Sequence, residues 1–518
     1  MATMAAVIEP AFRNLAELLH EHALQQPTRP ALVQGELSLS YSELDALMDR
    51  VAAALQRDGV QPGQAIALCG ASTPWQAALF LGALRAGVVV APLAPSVTPP
   101  AFAAMLGDAQ AQALFVDATA AALLPADLAM PCVALDTPAF EAWLAPLGSR
   151  PLPVTLQPAS PFNIIYSSGT TGQPKGIVQP HGMRWMHVMR GAQYGYAPGS
   201  VTLLATPLYS NTTLVVFFPT LAFGGTVLLM DKFDAAGYLA LAQARRVTHT
   251  MLVPVQYQRL MALPQFDAHD LSAFQVKFCT SAPFAAALKA DVLARWPGGL
   301  IEFYGMTEGG GTCILDARQN PSKLHTVGQP AEGHDFRLID EAGLEIPAAA
   351  AGEESEAGEL VGHSAGMMAG YHGQPEKTRE AEWFAPDGKR FIRTGDVGRF
   401  DADGFLILLD RKKDMIISGG YNIYPSDLEA ELRLHPAVAE VAVVGVPSEA
   451  WGETPVAFVV LRAGAHAPDA ELRAWLNARV GKTQRLSDLQ SLAELPRSAI
   501  GKLLKRDLRD GYNKVSNT

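Results

Sequence analysis

The chain has 518 residues, too many for one hydrophobic core, so two or more domains are expected. Hydrophobic residues make up 49% and charged residues 18%, an ordinary globular composition. The formal charge of −11, with no basic stripe, argues against a nucleic-acid partner.

The N-terminal stretch carries an amphipathic pattern (Phe12, Leu15, Leu18, Leu19) and no basic region followed by an apolar core, so no signal peptide is expected. Ser40-Tyr41-Ser42-Glu43 reads as a capping box. The helix it opens is expected to run to Asp58, with Gly59 just past its end. A strand at 65–69, a helix at 75–86 and a strand at 88–91 follow. The same rhythm returns at 113–116, 201–205, 226–230 and 251–253, which points to layered α/β architecture with largely parallel sheets. The apolar stretch 214–229 is interrupted by Pro219, Gly224 and Gly225 and reads as core, not as a membrane span. Cys69, Cys132, Cys279 and Cys313 form no C-x-x-C pair and read as buried thiols in a reducing compartment. A cytoplasmic monomer or homodimer without a transmembrane segment is the expectation.

After Gly328 the character changes to strands and turns, with 397–404 read as a turn region. Five consecutive charges, Asp410 to Asp414, then stand between two apolar runs and read locally as a solvated turn. A helix at 426–434, strands at 438–446 and 457–461 and a helix at 469–480 make a compact α+β tail of about a hundred residues, enough to fold alone. The expected division is 1–409 and 410–518.

The chemistry is concentrated first at Tyr166-Ser167-Ser168-Gly169-Thr170-Thr171-Gly172-Gln173-Pro174-Lys175-Gly176. Glycines let backbone N–H groups turn inward, hydroxyls add donors and Lys175 adds a point charge, which together suit a polyphosphate. A P-loop NTPase needs Gly before the Lys and a hydroxyl after it. Here Pro174 precedes Lys175 and Gly176 follows, so that reading fails. A flexible linker would not need Pro-Lys-Gly after its glycines. The segment resembles the phosphate loop of the ANL adenylate-forming superfamily, which includes acyl-CoA and aryl-CoA ligases, peptide-synthetase adenylation domains and beetle luciferases. Five further segments match it in order: Thr280-Ser281-Ala282-Pro283, Tyr304-Gly305-Met306-Thr307-Glu308, Thr394-Gly395-Asp396 within a longer string, Ser418-Gly419-Gly420-Tyr421, and Leu495 to Lys502.

The resemblance implies a large N-terminal domain of layered α/β sheets and a small mobile α+β C-terminal domain. It implies ATP, Mg²⁺ and coenzyme A, and two half-reactions at one site: a carboxylate forms an acyl-adenylate, then a thiol forms a thioester. By resemblance, Ser167 to Gly172 and Lys175 grip the leaving phosphates, Thr307 contacts the α-phosphate, and Glu308 holds Mg²⁺. Tyr304 lies near adenine with Gly305 and Met306, beside the Ser281-Ala282-Pro283 loop. Asp396 and Arg411 reach the ribose. Lys502 contacts the carboxylate and α-phosphate in the first step; Gly419 and Gly420 border the thiol's path in the second. Lys413 is the hinge.

The acid pocket is expected from Ser210, Asn211, Thr212, Val253, Gly309 and Gly310, with Ser210 standing where the family commonly has His. These positions are small or apolar and offer no Arg or Lys for a second carboxylate, and the glycines after Glu308 leave room for a bulky group. The implied substrate is a hydrophobic monocarboxylic acid, either a fatty acid or an aryl acid such as a benzoate or hydroxycinnamate. The implied activity is ATP-dependent carboxylic acid–CoA ligation. The alternatives are loading of a carrier-protein phosphopantetheine and, more distantly, a non-catalytic nucleotide-binding regulator.

Overall fold

The computed structural model describes residues 11–124, 128, 130–135, 137–167, 174–350, 352–412, 414–418, 421–448, 451–498 and 502–516. The helix Tyr41–Arg57 starts as its sequence requires: Ser40 caps it, Glu43 bonds back to the Ser40 N–H at 2.8 Å, and Gly59 lies beyond the end at φ +83°. The strands Ala65–Cys69 and Val89–Leu93 are wholly buried, and their continuous apolar runs pair in parallel.

Among the described residues, two large mixed sheets face each other across a helical layer. One has nine strands and is parallel from Gly299–Gly305 through Val276–Cys279, His249–Leu252, Val201–Leu204 and Thr226–Leu229 to Pro30–Gln34. The other has seven strands and is parallel from Pro161–Ser167 to Cys132–Ala134, with Lys175–Pro180 returning antiparallel beside Pro161–Ser167. The helices Tyr41–Arg57, Pro74–Arg85 and Asn211–Ala222 pack between them in one apolar core. A third, antiparallel sheet holds Asp335–Ile339, Gly358–His363, Arg390–Phe400, Glu382–Phe384 and Leu406–Arg411.

Two readings of the sequence need correction. Residues 397–400 are not a turn: they finish the eleven-residue strand Arg390–Phe400, and the turn is confined to 401–404. Cys132 is exposed, because its three-residue strand lies at the edge of the seven-stranded sheet, whereas Cys69, Cys279 and Cys313 are buried.

The charge cluster is split. Asp410 and Arg411 belong to the strand Leu406–Arg411, with Arg411 opposite Asp396 in register. Asp410 is buried enough to raise its carboxyl pKa, and it accepts the Ser426 N–H at 2.9 Å. A fourth sheet, formed by Ile416–Ser418, Tyr421–Ile423, Gly452–Leu461, Val438–Ser448 and Asp488–Ser491, has its own apolar core with the helices Pro425–Leu432 and Asp469–Asn477. No helix among the described residues is long and apolar enough to cross a membrane.

Candidate active site

A cavity of about 580 Å³ opens where the C-terminal ends of the parallel strands meet the helix His181–Gly191, and its wall reaches from Lys175 to Lys502. Ligands of open α/β sheets bind in such crevices. Thr307, Glu308, Asp396, Arg411 and Lys502 all line it.

At one end, Asp396 accepts the Tyr304 hydroxyl at 2.7 Å and pairs with Arg411 Nε at 3.1 Å. Thr394 fixes this arrangement by accepting the Asp396 N–H at 3.0 Å and donating to the Leu360 carbonyl at 2.9 Å. The Tyr304 pKa is held well above its usual range, first by burial and then by Asp396, so its proton stays on the hydroxyl. Glu308 accepts the Tyr371 hydroxyl at 2.9 Å, and the Lys175 ammonium lies 5.1 Å from the Tyr371 ring centre. Burial, then Glu308, raises the Tyr371 pKa.

Thr307 is placed by a buried amide network. Gln179, on the strand Lys175–Pro180, donates to the Thr307 carbonyl at 2.7 Å and to Asn211 Oδ1 at 3.3 Å. Its own carbonyl accepts Asn163 Nδ2 at 3.0 Å and the Arg184 guanidinium. Arg184 also donates to Asn163 Oδ1 at 3.1 and 3.2 Å; burial pulls its pKa down to about 9. Sequence reasoning missed this network, since its members are polar residues inside apolar elements.

Lys502 reaches the wall from the other unit. Ser498 and Lys502 are tied together through Ser498 N–H to the Lys502 carbonyl at 2.8 Å and Lys502 N–H to Ser498 Oγ at 3.2 Å. Arg497, beside Ser498, pairs with Glu440 at 2.5 Å.

Of the expected acid pocket, Ser210, Asn211, Thr212 and Gly309 line the cavity, as do Gly305, Met306 and Ser281. Thr212 and Ser281 share a hydrogen bond of 2.6 Å. It holds Ser281 at φ +80°, a strain of about 1–3 kcal/mol for a residue with a side chain, at the point where this loop departs from the family pattern. Val253, Gly310, Ala282 and Pro283 do not line the cavity. Val253 is buried at the start of the helix Pro254–Met261, where its N–H binds Gln256, and Gln256 in turn binds the Ala205 carbonyl. Gly310 is spent on packing: a Cβ there would lie 2.8 Å from Ile392 and 3.1 Å from the Gly362 carbonyl. The glycine run thus permits backbone contact more than it enlarges the pocket. None of the expected positions carries a basic side chain, but Arg190, outside that set, also lines the cavity. Ser168 to Gly172, Lys413, Gly419 and Gly420 lie outside the described residues, as does the side chain of Ser167.

Residues 19–372 match the model of the AMP-binding enzyme family, and residues 427–502 match that of the AMP-binding enzyme C-terminal domain. The chain belongs to the AMP-binding enzyme family. Feruloyl-CoA synthase of an Amycolatopsis species is 35% identical over 494 residues, covering 94% of this chain and 96% of that protein. The fatty acid–[acyl-carrier-protein] ligase ScoC of Streptomyces coeruleorubidus is 31% identical, covering 97% of each. Among solved structures, ATP-bound MatB from Rhodopseudomonas palustris superimposes with a TM-score of 0.86 at 29% identity, covering 97% of this chain and 99% of that one. The fold is that of the ANL adenylate-forming enzymes, and this AMP-binding enzyme is an AMP-forming acid–thiol ligase. ATP fits the residues present: one carboxylate, Asp396, for a ribose diol and two ammonium groups, Lys175 and Lys502, for phosphates. No group of three or more metal-binding side chains occurs among the described residues. Glu308 as a single protein carboxylate suits Mg²⁺, which takes its other oxygens from phosphates and water.

Proposed function

We propose that the chain is an ATP-dependent carboxylic acid–CoA ligase acting on an acid with an apolar, ring-sized body. The observation that carries this is the meeting of Lys502, from the C-terminal unit, with Thr307, Glu308, Asp396 and Arg411 around one cavity. In the first step a carboxylate oxygen attacks the α-phosphorus of ATP, forming the acyl–phosphate bond and expelling pyrophosphate. Lys502 holds the carboxylate and the α-phosphoryl oxygens together, so two anions meet without mutual repulsion. Asp396 and Arg411 orient the ribose, Thr307 orients the α-phosphate, and Lys175 with the loop after Ser167 binds the pyrophosphate. Mg²⁺ on Glu308 would neutralise phosphate charge. In the second step the thiol sulfur attacks the acyl carbon and AMP leaves.

The two steps need different neighbours, and we place the division between N- and C-terminal domains at 410, with Lys413 as the hinge that exchanges Lys502 for the Gly419-Gly420 loop. An aryl acid is favoured over a long alkyl chain by the aromatic wall of Tyr194, Phe278 and Phe303, whose ring centres lie 5.0 to 5.9 Å apart. Feruloyl-CoA synthase among the relatives supports that choice. Carrier-protein loading is the second reading, favoured by the similarity to ScoC. Product analysis over benzoic, cinnamic and fatty acids, with ATP and either CoA or a phosphopantetheinylated carrier, tests it. Acyl-CoA, AMP and pyrophosphate in equal amounts are expected. Thioester on the carrier alone would move the activity to the second reading, and no acid-dependent pyrophosphate release would leave a nucleotide-binding regulator.

A further inference from the structure

The helix His181–Gly191 turns one face to the cavity: Met183, Met186, His187, Arg190 and Gly191, at the three- and four-residue spacing of a single helical stripe. Its far end brings Arg190 against His334, which approaches from the segment before the strand Asp335–Ile339.

The hydrogen bonds fix what these groups present. His334 Nδ1 accepts the Thr312 N–H at 2.8 Å, so in the neutral ring the proton sits on Nε2. Burial, then Arg190 and His363, holds the His334 pKa to about 4, and the ring is neutral near pH 7. Its Nε2–H lies 3.3 Å from Arg190 Nη2, which can only donate. The contact is therefore donor against donor.

His187 repeats the pattern. Its Nδ1 faces Arg184 Nη1 at 3.4 Å, so Nδ1 accepts and Nε2 carries the proton, with no partner for Nε2 among the described residues. Arg190 pairs with no carboxylate among the described residues, and burial pulls its pKa down. Three N–H-bearing groups thus border the cavity with no acceptor among the described residues, and one of them is a guanidinium partly stripped of water. Water in the open cavity can accept from these donors, so a ligand that displaces it loses affinity unless it brings an oxygen of its own.

We propose that Arg190, His334 and His187 form a distal acceptor subsite: the substrate acid carries, at the end remote from its reacting carboxylate, an oxygen that accepts from these donors. The substrate class is an aromatic acid whose ring lies along Tyr194, Phe278 and Phe303 and whose far substituent is a second carboxylate or a phenolic oxygen. This rests on the reading that the cavity adenylates an acid.

The test compares three cinnamic acids that differ only at the ring's far position, carrying a carboxylate, a hydroxyl or a methyl group. The readout is kcat/KM for acid-dependent pyrophosphate release in wild type, Arg190→Met and Arg190→Lys. Wild type is expected to prefer an oxygen-bearing acid over the methyl acid by about tenfold to a hundredfold, the scale of a hydrogen bond to a charged group. Arg190→Met should reverse the preference and Arg190→Lys should recover part of it. The carboxylate and hydroxyl arms tell which oxygen the subsite takes. Turnover of all three acids with the methyl acid favoured, or a preference that Arg190→Met leaves unchanged, overturns the subsite while the ligase reading stands. No release with any carboxylic acid overturns both.

Discussion

Gln179 offers the sharpest separation of stability from chemistry, because it is fully buried and reaches the cavity only through Thr307 and Asn211, which it bonds directly. Gln179→Leu takes the partner from four groups: the Thr307 carbonyl, an Asn163 N–H and one Arg184 N–H are stranded, while Asn211 Oδ1 stands at the cavity wall, where water can replace the bond. At about 1–3 kcal/mol for each stranded group the loss should be roughly 3–6 kcal/mol, since Arg184 keeps two bonds to Asn163 Oδ1. Gln179→Glu behaves differently. It keeps the acceptor for Arg184 and Asn163 and adds a charge partner, but sets a carboxylate oxygen against the Thr307 carbonyl. Its stability should lie within about 1 kcal/mol of wild type, while displacement of Thr307 lowers adenylation about tenfold or more. The assays are denaturant unfolding and carboxylate-dependent ATP–pyrophosphate exchange. Wild-type exchange in Gln179→Glu, or unaltered stability in Gln179→Leu, would refute the idea that this network positions Thr307.

Two further outcomes follow from the same geometry. A Cβ on Gly362 would lie 1.7 Å from the Gly310 carbonyl, so Gly362→Ala must push the turn that follows Glu308; exchange should fall about tenfold or more, whereas Gly199→Ala, with open space around it, should match wild type. Equal activity in both variants would contradict that. His181 is buried against Phe162, and burial lowers its pKa from 6.5 to about 4. Between those values the unfolded chain binds a proton that the folded protein does not, so this contribution is present above pH 6.5 and lost as pH falls toward 4. From pH 7 to 5 the loss should be on the order of 1–2 kcal/mol, and His181→Leu should flatten it; identical slopes in denaturation against pH would rule it out.

Much of the site was legible because its members are neighbours in sequence. Tyr304 lies near the end of one strand and Thr307 and Glu308 follow it, and Asp396 with Arg411 sits at one register of a β-ladder. The helix starts were equally readable, as the Ser40–Glu43 box shows, because capping is local. What escaped depends on contacts across many residues. His334 acquires its tautomer from Thr312 and its charge environment from Arg190, and no local pattern announces either. The one available signal was the cavity-facing stripe Met183–Met186–His187–Arg190, which looks like any amphipathic helix until its partner face proves to be a cavity. Gly310 was misread for a similar reason: a glycine gives room, and only the fold decides whether substrate or Gly362 takes it.

The central claim is that a carboxylate is adenylated in this cavity with Lys502 as the bridging cation. The direct test is Lys502→Ala measured in the two half-reactions separately. Adenylation, followed by ATP–pyrophosphate exchange, should fall by about 10²–10³-fold or more. Thioester formation from supplied acyl-adenylate and CoA should stay within about tenfold of wild type, since that step does not use Lys502. Equal loss in both half-reactions, or exchange that survives the substitution, would contradict the account.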